Sequence, residues 1–233
     1  MILLGLAGHA GSGKDTVASY LVERYGFVSF SFSDALYREV AEAFSLPDDS
    51  LLRDRETKEV PSEHLALVNC LEDEFIGVAV QHISHASHHL HDMPLSPRRV
   101  LQLWGTEYRR AQNPAYWVEQ ADQFIYQMTH FGPYAELRPA NFVNTSVRFP
   151  NEREWIRRYA PFGSVWHLHR DTIAPVNPHT SETPLPVLPG EREIWNNYTI
   201  EYLHMGIDQF MSSNIPSIRI EPPEPMVAPD EKV

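Results

Sequence analysis

The feature that most constrains this chain is a glycine-rich loop at residues 8–14, which has the sequence GHAGSGK. The loop fits the pattern G-x-x-x-x-G-K and follows an apolar run at residues 2–7. Val17, Leu21 and Tyr25 then recur at steps of four, as on one face of a helix. Glycines let backbone N–H groups wrap a phosphate, and a helix N-terminus adds partial positive charge from the same direction. This setting predicts a strand, a phosphate-binding loop and a helix, and disfavours an ordinary glycine-rich turn.

The loop and the first helical turn are predicted to bind ATP. The expected binding residues are Gly11, Ser12, Gly13, Lys14, Asp15 and Thr16. Lys14 can neutralise the β- and γ-phosphates, and the metal ligand is expected to be Asp15 or Thr16, because Asp15 stands where a hydroxyl residue normally binds Mg²⁺. Asp15 can alternatively be a first-turn acid that favours the helix dipole, and the sequence leaves both roles open.

Apolar periodicity predicts further strands and helices in alternation. Val28, Phe30 and Phe32 alternate with serines, which indicates a strand over residues 28–32, and Asp34 opens a helix. The other predicted elements are a helix over 62–80, a helix that begins at Ser96-Pro97, a helix over 117–128, strands over 141–147 and 164–168, a helix over 151–159 and a final helix over 199–211. This alternation predicts an α/β fold.

Length and proline content set the expected domain organisation. A chain of 233 residues favours one domain with insertions. Residues 47–97 are polar and irregular, which indicates an insertion, and the five prolines within residues 171–190 indicate a loop. Residues 221–233, with four prolines and several charges, are expected to form a disordered tail.

Composition excludes several partners and compartments. The formal net charge is -12, which argues against binding a nucleic-acid backbone. The sequence has no apolar stretch of membrane-spanning length, so no membrane partner is expected. Cys70 is the single cysteine, which favours a reducing compartment. A cytoplasmic protein is expected, in the host cytoplasm if the chain is encoded by a phage.

Four motifs follow one another along the chain. They are GKDT at residues 13–16, RxxLQxxGTExxR at 98–110, VRFPNE at 147–152 and HxSE at 179–182. In this order they resemble the deoxynucleoside monophosphate kinases of tailed bacteriophages, and the match runs to about Leu203. The resemblance implies a P-loop NTPase fold of three layers, with a five-stranded parallel sheet, a helical monophosphate-binding insertion and a lid loop. The Asn-Lys-x-Asp motif of GTPases is absent.

The resemblance also implies an activity, namely transfer of phosphate from ATP to a deoxynucleoside monophosphate (dNMP), giving ADP and the diphosphate. One kinase domain would then span residues 1–220. Its implied parts are a core over 1–33 and 140–212, an insertion over about 34–130 and a lid over about 171–190. The small-molecule partners would be nucleotides, the cofactors ATP and Mg²⁺, and the family resemblance suggests a homodimer.

Residue roles follow from the same resemblance. Catalysis by charge stabilisation is assigned to Lys14, Arg148 and Arg170. The acceptor nucleotide is expected to contact Asp34, Arg98, Gln102, Arg110, Arg148 and Glu182, and Glu182 with His179 would organise the lid. Arg148 resembles the family's clamp on the acceptor phosphate, although a surface pair with Glu152 is the open alternative. For Gln102, Arg110 and Arg170, structural roles remain equally open.

Other interpretations also remain open. Ser146 stands where the family usually has an Asp, so the acid that orients Mg²⁺ is Asp15 or one not located. The chain could phosphorylate another metabolite, as dephospho-coenzyme A kinases do, or be a nucleotide-binding regulator without turnover. Five histidines within residues 82–91 suggest zinc, but a solvated loop is favoured because Cys70 alone provides no second ligand pair.

Overall fold

A parallel five-stranded sheet forms the centre of the computed structural model, which describes residues 1–83, 91–131, 141–159, 163–171 and 185–212. The strands are β1 (Leu3–Ala7), β2 (Val28–Phe30), β3 (Phe142–Val147), β4 (Gly163–His169) and β5 (Arg192–Trp195). Their spatial order is β2-β3-β1-β4-β5, and each neighbouring pair is parallel. The predicted α/β class and the five-stranded parallel sheet are confirmed.

Helices cover the sheet and extend from it. They are α1 (Lys14–Tyr25), α2 (Phe32–Ala43), α3 (Ser50–Arg53), α4 (Asp73–His82), α5 (Pro97–Gln102), α6 (Tyr116–His130), α7 (Pro150–Arg158) and α8 (Ile200–Ser212). At its end α5 runs directly into a π-helical segment, Leu103–Arg110, so the helix that begins at Ser96-Pro97 is longer than its apolar pattern indicated. No helix within the described residues has the length and apolar character needed to cross a bilayer.

The central strand β1 is buried on both faces. Leu4 and Leu6 join the apolar cluster that contains side chains of α1 and α8. Leu3 and Ala7 join the larger cluster that contains side chains of α2, α6 and α7. The uninterrupted apolar run in the sequence therefore reflects a strand between two helical layers, since side chains of a strand alternate between its faces.

The register of β1 determines where the glycine loop emerges. Ala7 is the register partner of Val147 on β3 and of His167 on β4. Carboxyl ends of parallel strands meet at one edge of the sheet, which is where open α/β sheets bind ligands. The loop that begins at Gly8 therefore leaves the sheet between the residues that follow β3 and β4.

The second predicted strand is shorter than expected. It ends at Phe30 because Ser31 caps α2, with its Oγ accepting the N–H of Ser33 at 3.0 Å. In return, the Asp34 carboxylate accepts the N–H of Ser31 at 2.7 Å, which completes a capping box. Helix α2 thus begins at Phe32, and Asp34 is its third residue and not its first.

The helix predicted over residues 62–80 is wrong in its first half. Two 3₁₀ turns, Glu63–Leu65 and Leu67–Asn69, precede α4, which begins only at Asp73. Ala66 between the turns is extended, and Ser62 forms an antiparallel bridge to Leu95. Each turn buries one leucine, Leu65 or Leu67, and the chain forms these turns where a continuous helix was predicted.

The fifth strand was not located by the apolar pattern, although the family resemblance implied one. β5 lies at the edge of the sheet beside β4, and Ile194 is its single fully buried residue. A short edge strand with one buried side chain has little of the periodicity by which strands are recognised.

Glu39 on α2 joins three parts of the inserted region. Its carboxylate accepts hydrogen bonds from Trp104 Nε1 at 3.0 Å, Arg109 Nε at 2.8 Å and the Tyr116 hydroxyl at 2.5 Å. Burial and the Glu39 carboxylate raise the pKa of Tyr116 to about 12. One carboxylate thus fastens α2 to the π-helical segment and to α6.

We predict that Glu39→Ala lowers the free energy of unfolding by roughly 2 to 4 kcal/mol, because largely buried donors lose their acceptor. Urea unfolding followed by circular dichroism measures this. The matched control is Glu42→Ala, an exposed residue of the same helix, for which a change within about 0.5 kcal/mol is expected. Equal effects of the two substitutions would contradict the role assigned to Glu39.

Candidate active site

The glycine loop is pressed against the ends of two strands. Gly8 and Gly13 have φ values of 138° and 104°, in the range that disfavours residues with a Cβ. A Cβ on Gly8 would lie 2.4 Å from the carbonyl oxygen of Leu168, and one on Gly13 would lie 2.3 Å from Nδ2 of Asn196. Glycine at these two positions lets the loop pack directly against Leu168 of β4 and against Asn196, the residue after β5.

Lys14 carries its charge back over this loop. Its Nζ donates to the carbonyl oxygens of Gly8 at 2.7 Å and His9 at 2.8 Å. The Oγ of Ser12 is buried and has no hydrogen-bond partner among the described residues. An ammonium group and an unmatched hydroxyl thus accompany the loop amides, a donor set that suits phosphate oxygens.

The two predicted metal ligands differ in their surroundings. Asp15 is exposed and forms an ion pair with Arg55, which comes from the segment after α3. Thr16 is partly buried in the first turn of α1. No group of three or more His, Cys, Asp or Glu side chains that could hold a metal is found in the described parts of the chain.

A cleft of about 110 Å³ lies among the end of β3, α2 and the segment formed by α5 and its π-helical extension. Four residues predicted to bind the acceptor line it, namely Arg98, Gln102, Arg110 and Arg148. Asp34 does not line this cleft, and its carboxylate is engaged by the Ser31 amide at 2.7 Å and by Arg53 at 3.0 Å. Glu182 and His179 lie outside the described residues.

Two arginines leave the sheet on opposite sides of the glycine loop. Arg148 follows β3 and Arg170 follows β4, and these two strands flank β1. Both arginines are exposed. The fold thus places one cation on each side of the loop, and only Arg148 also lines the cleft.

Glu152 binds the Arg110 side chain and the backbone at Arg148. It is 2% exposed, accepts the backbone N–H groups of Arg148 and Phe149 at 2.8 and 3.1 Å, and forms an ion pair with Arg110. The Arg110 guanidinium also lies 3.7 Å from the centroid of the Phe149 ring. Burial raises the pKa of Glu152, while Arg110 and the two amides oppose that rise. Arg110 is thereby fixed in place, and the turn that carries Arg148 is held by its backbone.

Ser146 stabilises the junction between β3 and α2. Its Oγ accepts hydrogen bonds from the Ser31 hydroxyl at 2.7 Å and from the Phe32 N–H at 3.0 Å. Its own N–H donates to the side chain of Asn144 at 2.9 Å. The residue at this position therefore links the strand to the helix N-terminus and supplies no acid.

Sequence reasoning missed several polar side chains near the cleft. Lys58 lines it and donates to the Tyr37 hydroxyl at 3.1 Å, and its carbonyl accepts the N–H of Arg98 at 2.9 Å. Arg55, three residues earlier, reaches the helix that follows the glycine loop. The segment at positions 53–58, RDRETK, mixes three basic with two acidic residues, so its composition offered little signal in the sequence.

Gln102 presents an unmatched donor. Its Nε2 is buried and lacks a hydrogen-bond partner within the part of the chain that the structure describes. Because the residue lines the cleft, a ligand atom that accepts a hydrogen bond would satisfy this amide.

The histidine-rich segment is only partly described. His82 lies in the last turn of α4 with its Nδ1 2.9 Å from the carbonyl oxygen of Val78, and His91 is exposed. His85, His88 and His89 lie outside the described residues, so the zinc alternative stays untested.

Comparison with known proteins identifies the family. The chain is 30% identical over 216 residues to a protein assigned as a deoxynucleotide monophosphate kinase in Acanthamoeba polyphaga mimivirus, and the alignment covers 89% of this chain and 94% of that protein. This chain belongs to the deoxynucleoside monophosphate kinase family. It is also 28% identical over 205 residues to the deoxynucleoside-5'-monophosphate kinase of Escherichia phage T5, covering 74% of this chain and 76% of the phage enzyme. No family model matches the chain. The resemblance drawn from the motifs is confirmed.

We predict that Glu152→Ala lowers the free energy of unfolding by roughly 3 to 5 kcal/mol. The substitution removes the carboxylate that pairs with the largely buried Arg110 guanidinium and accepts the N–H groups of Arg148 and Phe149. Chemical denaturation measures the loss. Glu154→Ala is the control, since Glu154 is exposed on the same helix, and it should change stability by less than about 0.5 kcal/mol. A Glu152→Ala protein as stable as this control would show that the pair with Arg110 is not structural.

Proposed function

We propose that this chain transfers the γ-phosphate of ATP to a dNMP, producing ADP and a deoxynucleoside diphosphate. The observation that carries the proposal is a phosphate-binding loop beside a cleft lined by four cations, Lys58, Arg98, Arg110 and Arg148. Two anionic substrates repel each other and a chain of charge -12, so both must be neutralised locally. The two relatives are named as kinases of this substrate class.

The glycine loop is the proposed binding site for ATP. Its amides at Gly11, Ser12 and Gly13 would bind the phosphates, and Lys14 would move its ammonium from the loop carbonyls to the β- and γ-oxygens. Arg170, exposed on the other side of the loop from Arg148, would approach the transferring group.

Mg²⁺ is proposed as the companion of ATP. Thr16 and Asp15 are the residues that would hold it, and few protein ligands are needed because Mg²⁺ keeps several waters and binds substrate phosphates. The ion would neutralise charge on the β- and γ-phosphates. Asp15 would have to exchange its partner Arg55 for the hydrated metal.

The acceptor side falls to the cleft. Arg148 is the proposed clamp on the acceptor phosphate, because it follows β3 directly, beside the glycine loop, and lines the cleft. The acceptor oxygen is ionised at neutral pH, so positioning and charge stabilisation suffice without a strong general base. Gln102 and Arg98 would contact the remainder of the nucleotide. Asp34 and Glu182 stay proposed contacts, although Asp34 does not line the cleft and Glu182 lies outside the described residues.

The division of the chain is part of this proposal. The catalytic core would comprise residues 1–33 and 140–212, with the acceptor insertion at about 34–130 and a lid at about 171–190. A homodimer acting in the cytoplasm, where nucleotides are available, is the proposed assembly and location.

A coupled assay for ADP release with each of the four dNMPs, with and without Mg²⁺, tests the function. Acceptor-dependent release that requires the metal is expected. If dephospho-coenzyme A supports turnover and none of the dNMPs does, the acceptor is another metabolite and not a dNMP. ATP binding without turnover on any acceptor would identify a regulator and overturn the proposal.

We predict that Lys14→Ala lowers kcat by a factor on the order of 10² or more, with little change in unfolding, because the side chain acts on charge and not on packing. Steady-state kinetics and thermal unfolding measure the two effects. Arg24→Ala removes an exposed cation from the last turn of the same helix and should retain activity. Unchanged kcat in Lys14→Ala would remove the loop from the mechanism.

We predict that Gln102→Leu raises KM for the preferred dNMP roughly 10-fold while KM for ATP stays unchanged, because the acceptor loses a hydrogen bond from a buried amide. Initial rates with each substrate varied in turn provide both constants. Gln209→Leu, at an exposed glutamine on α8, is the control. A change in KM for ATP alone would place Gln102 outside the acceptor site.

A further inference from the structure

The residue that follows β5 extends the sheet toward the glycine loop. The backbone N–H of Asn196 donates to the carbonyl oxygen of His169 at 2.8 Å, continuing the pairing of β4 with β5. At its other end β5 is preceded by Glu191, which is 8% exposed and lies 2.8 Å from Nε2 of His167. The backbone of Asn196 is therefore held at a strand fastened at both ends.

The side chain of Asn196 binds the loop itself. Its Nδ2 donates to the carbonyl oxygen of Ser12 at 3.0 Å, and Ser12 is 1% exposed. The amide occupies the space where a Cβ on Gly13 would stand, 2.3 Å away. A hydrogen bond and a close steric contact thus act on the same peptide unit.

Fixing this peptide fixes an amide of the loop. In a trans peptide the carbonyl and the following N–H point in opposite directions. With the Ser12 carbonyl held by Asn196, the Gly13 N–H is turned away from Asn196. That N–H belongs to the loop whose donors would bind phosphate, and Lys14 follows it directly.

We propose that Asn196 is a positioning residue for ATP, which orients the Ser12-Gly13 peptide so that the loop is preorganised for the triphosphate. The inference rests on the proposed function of the loop as the ATP site. Asn196 touches the loop backbone and not the reacting atoms, so it acts through the loop. Preorganised donors avoid an ordering cost when the anion binds.

Calorimetric titration of ATP into the full chain tests the role without an acceptor. Asn196→Ala is expected to weaken ATP binding roughly 5- to 30-fold, which corresponds to a loss of about one to two kcal/mol of binding free energy when the loop is no longer preoriented. Asn196→Asp keeps the side-chain size but loses the donor and adds negative charge, so an equal or larger loss is expected. In kinetic assays KM for the dNMP should change less than about twofold, since the cleft residues are separate from this contact.

Asn69→Ala is the matched control, because Asn69 also donates from Nδ2 to a backbone carbonyl, that of Glu63, at 2.8 Å. It should leave ATP affinity unchanged. Wild-type ATP affinity in both Asn196 variants would overturn the proposal, even with lowered thermal stability. Failure of both to fold, checked by circular dichroism, would assign Asn196 a purely structural role and would also overturn it. Because binding is measured without acceptor, a chain that binds ATP but phosphorylates no dNMP would refute the function and leave this result intact.

Discussion

The pairing of β1 with both β3 and β4 is the constraint on which the rest of this structure depends. It aligns Ala7 with Val147 and His167, so the glycine loop, Arg148 and the end of β4 meet at one edge of the sheet. Burial of β1 between two helical layers makes a slip in register costly, because every side chain would change faces. The hydrophobic core therefore sets the place at which the loop leaves the sheet.

The distribution of charged side chains is the second constraint on this structure. An acidic chain that must bring two polyanions together concentrates arginine and lysine around one cleft and holds some of them with carboxylates. Glu152 fixes Arg110, and Asp15 engages Arg55 at the start of α1. A buried pair such as the first is stable against solvent competition, whereas an exposed pair such as the second contributes little and exchanges partners readily. The site thus combines fixed cations with cations that can respond to substrate.

The inserted region is organised by polar groups as much as by apolar contacts. Glu39 gathers donors from Trp104, Arg109 and Tyr116, and the capping box at Ser31 sets the start of α2 beside Ser146. These contacts join residues that are far apart in the chain. They join α2 to the elements that line the cleft, and the spacing of residues along the sequence does not reveal them.

The sequence by itself determined the strand, loop and helix at the N-terminus and the α/β class, because glycine spacing and apolar periodicity are local properties, and its four ordered motifs indicated the family. It also named Arg98, Gln102, Arg110 and Arg148, which the fold gathers into one cleft. Only the tertiary structure decided that β5 lies at the sheet edge, that two 3₁₀ turns occupy residues 63–69 beside Leu95 and that Asn196 holds the loop. Those features arise from contacts between distant residues, such as Asn196 with Ser12, whose energies depend on a register that no local pattern encodes.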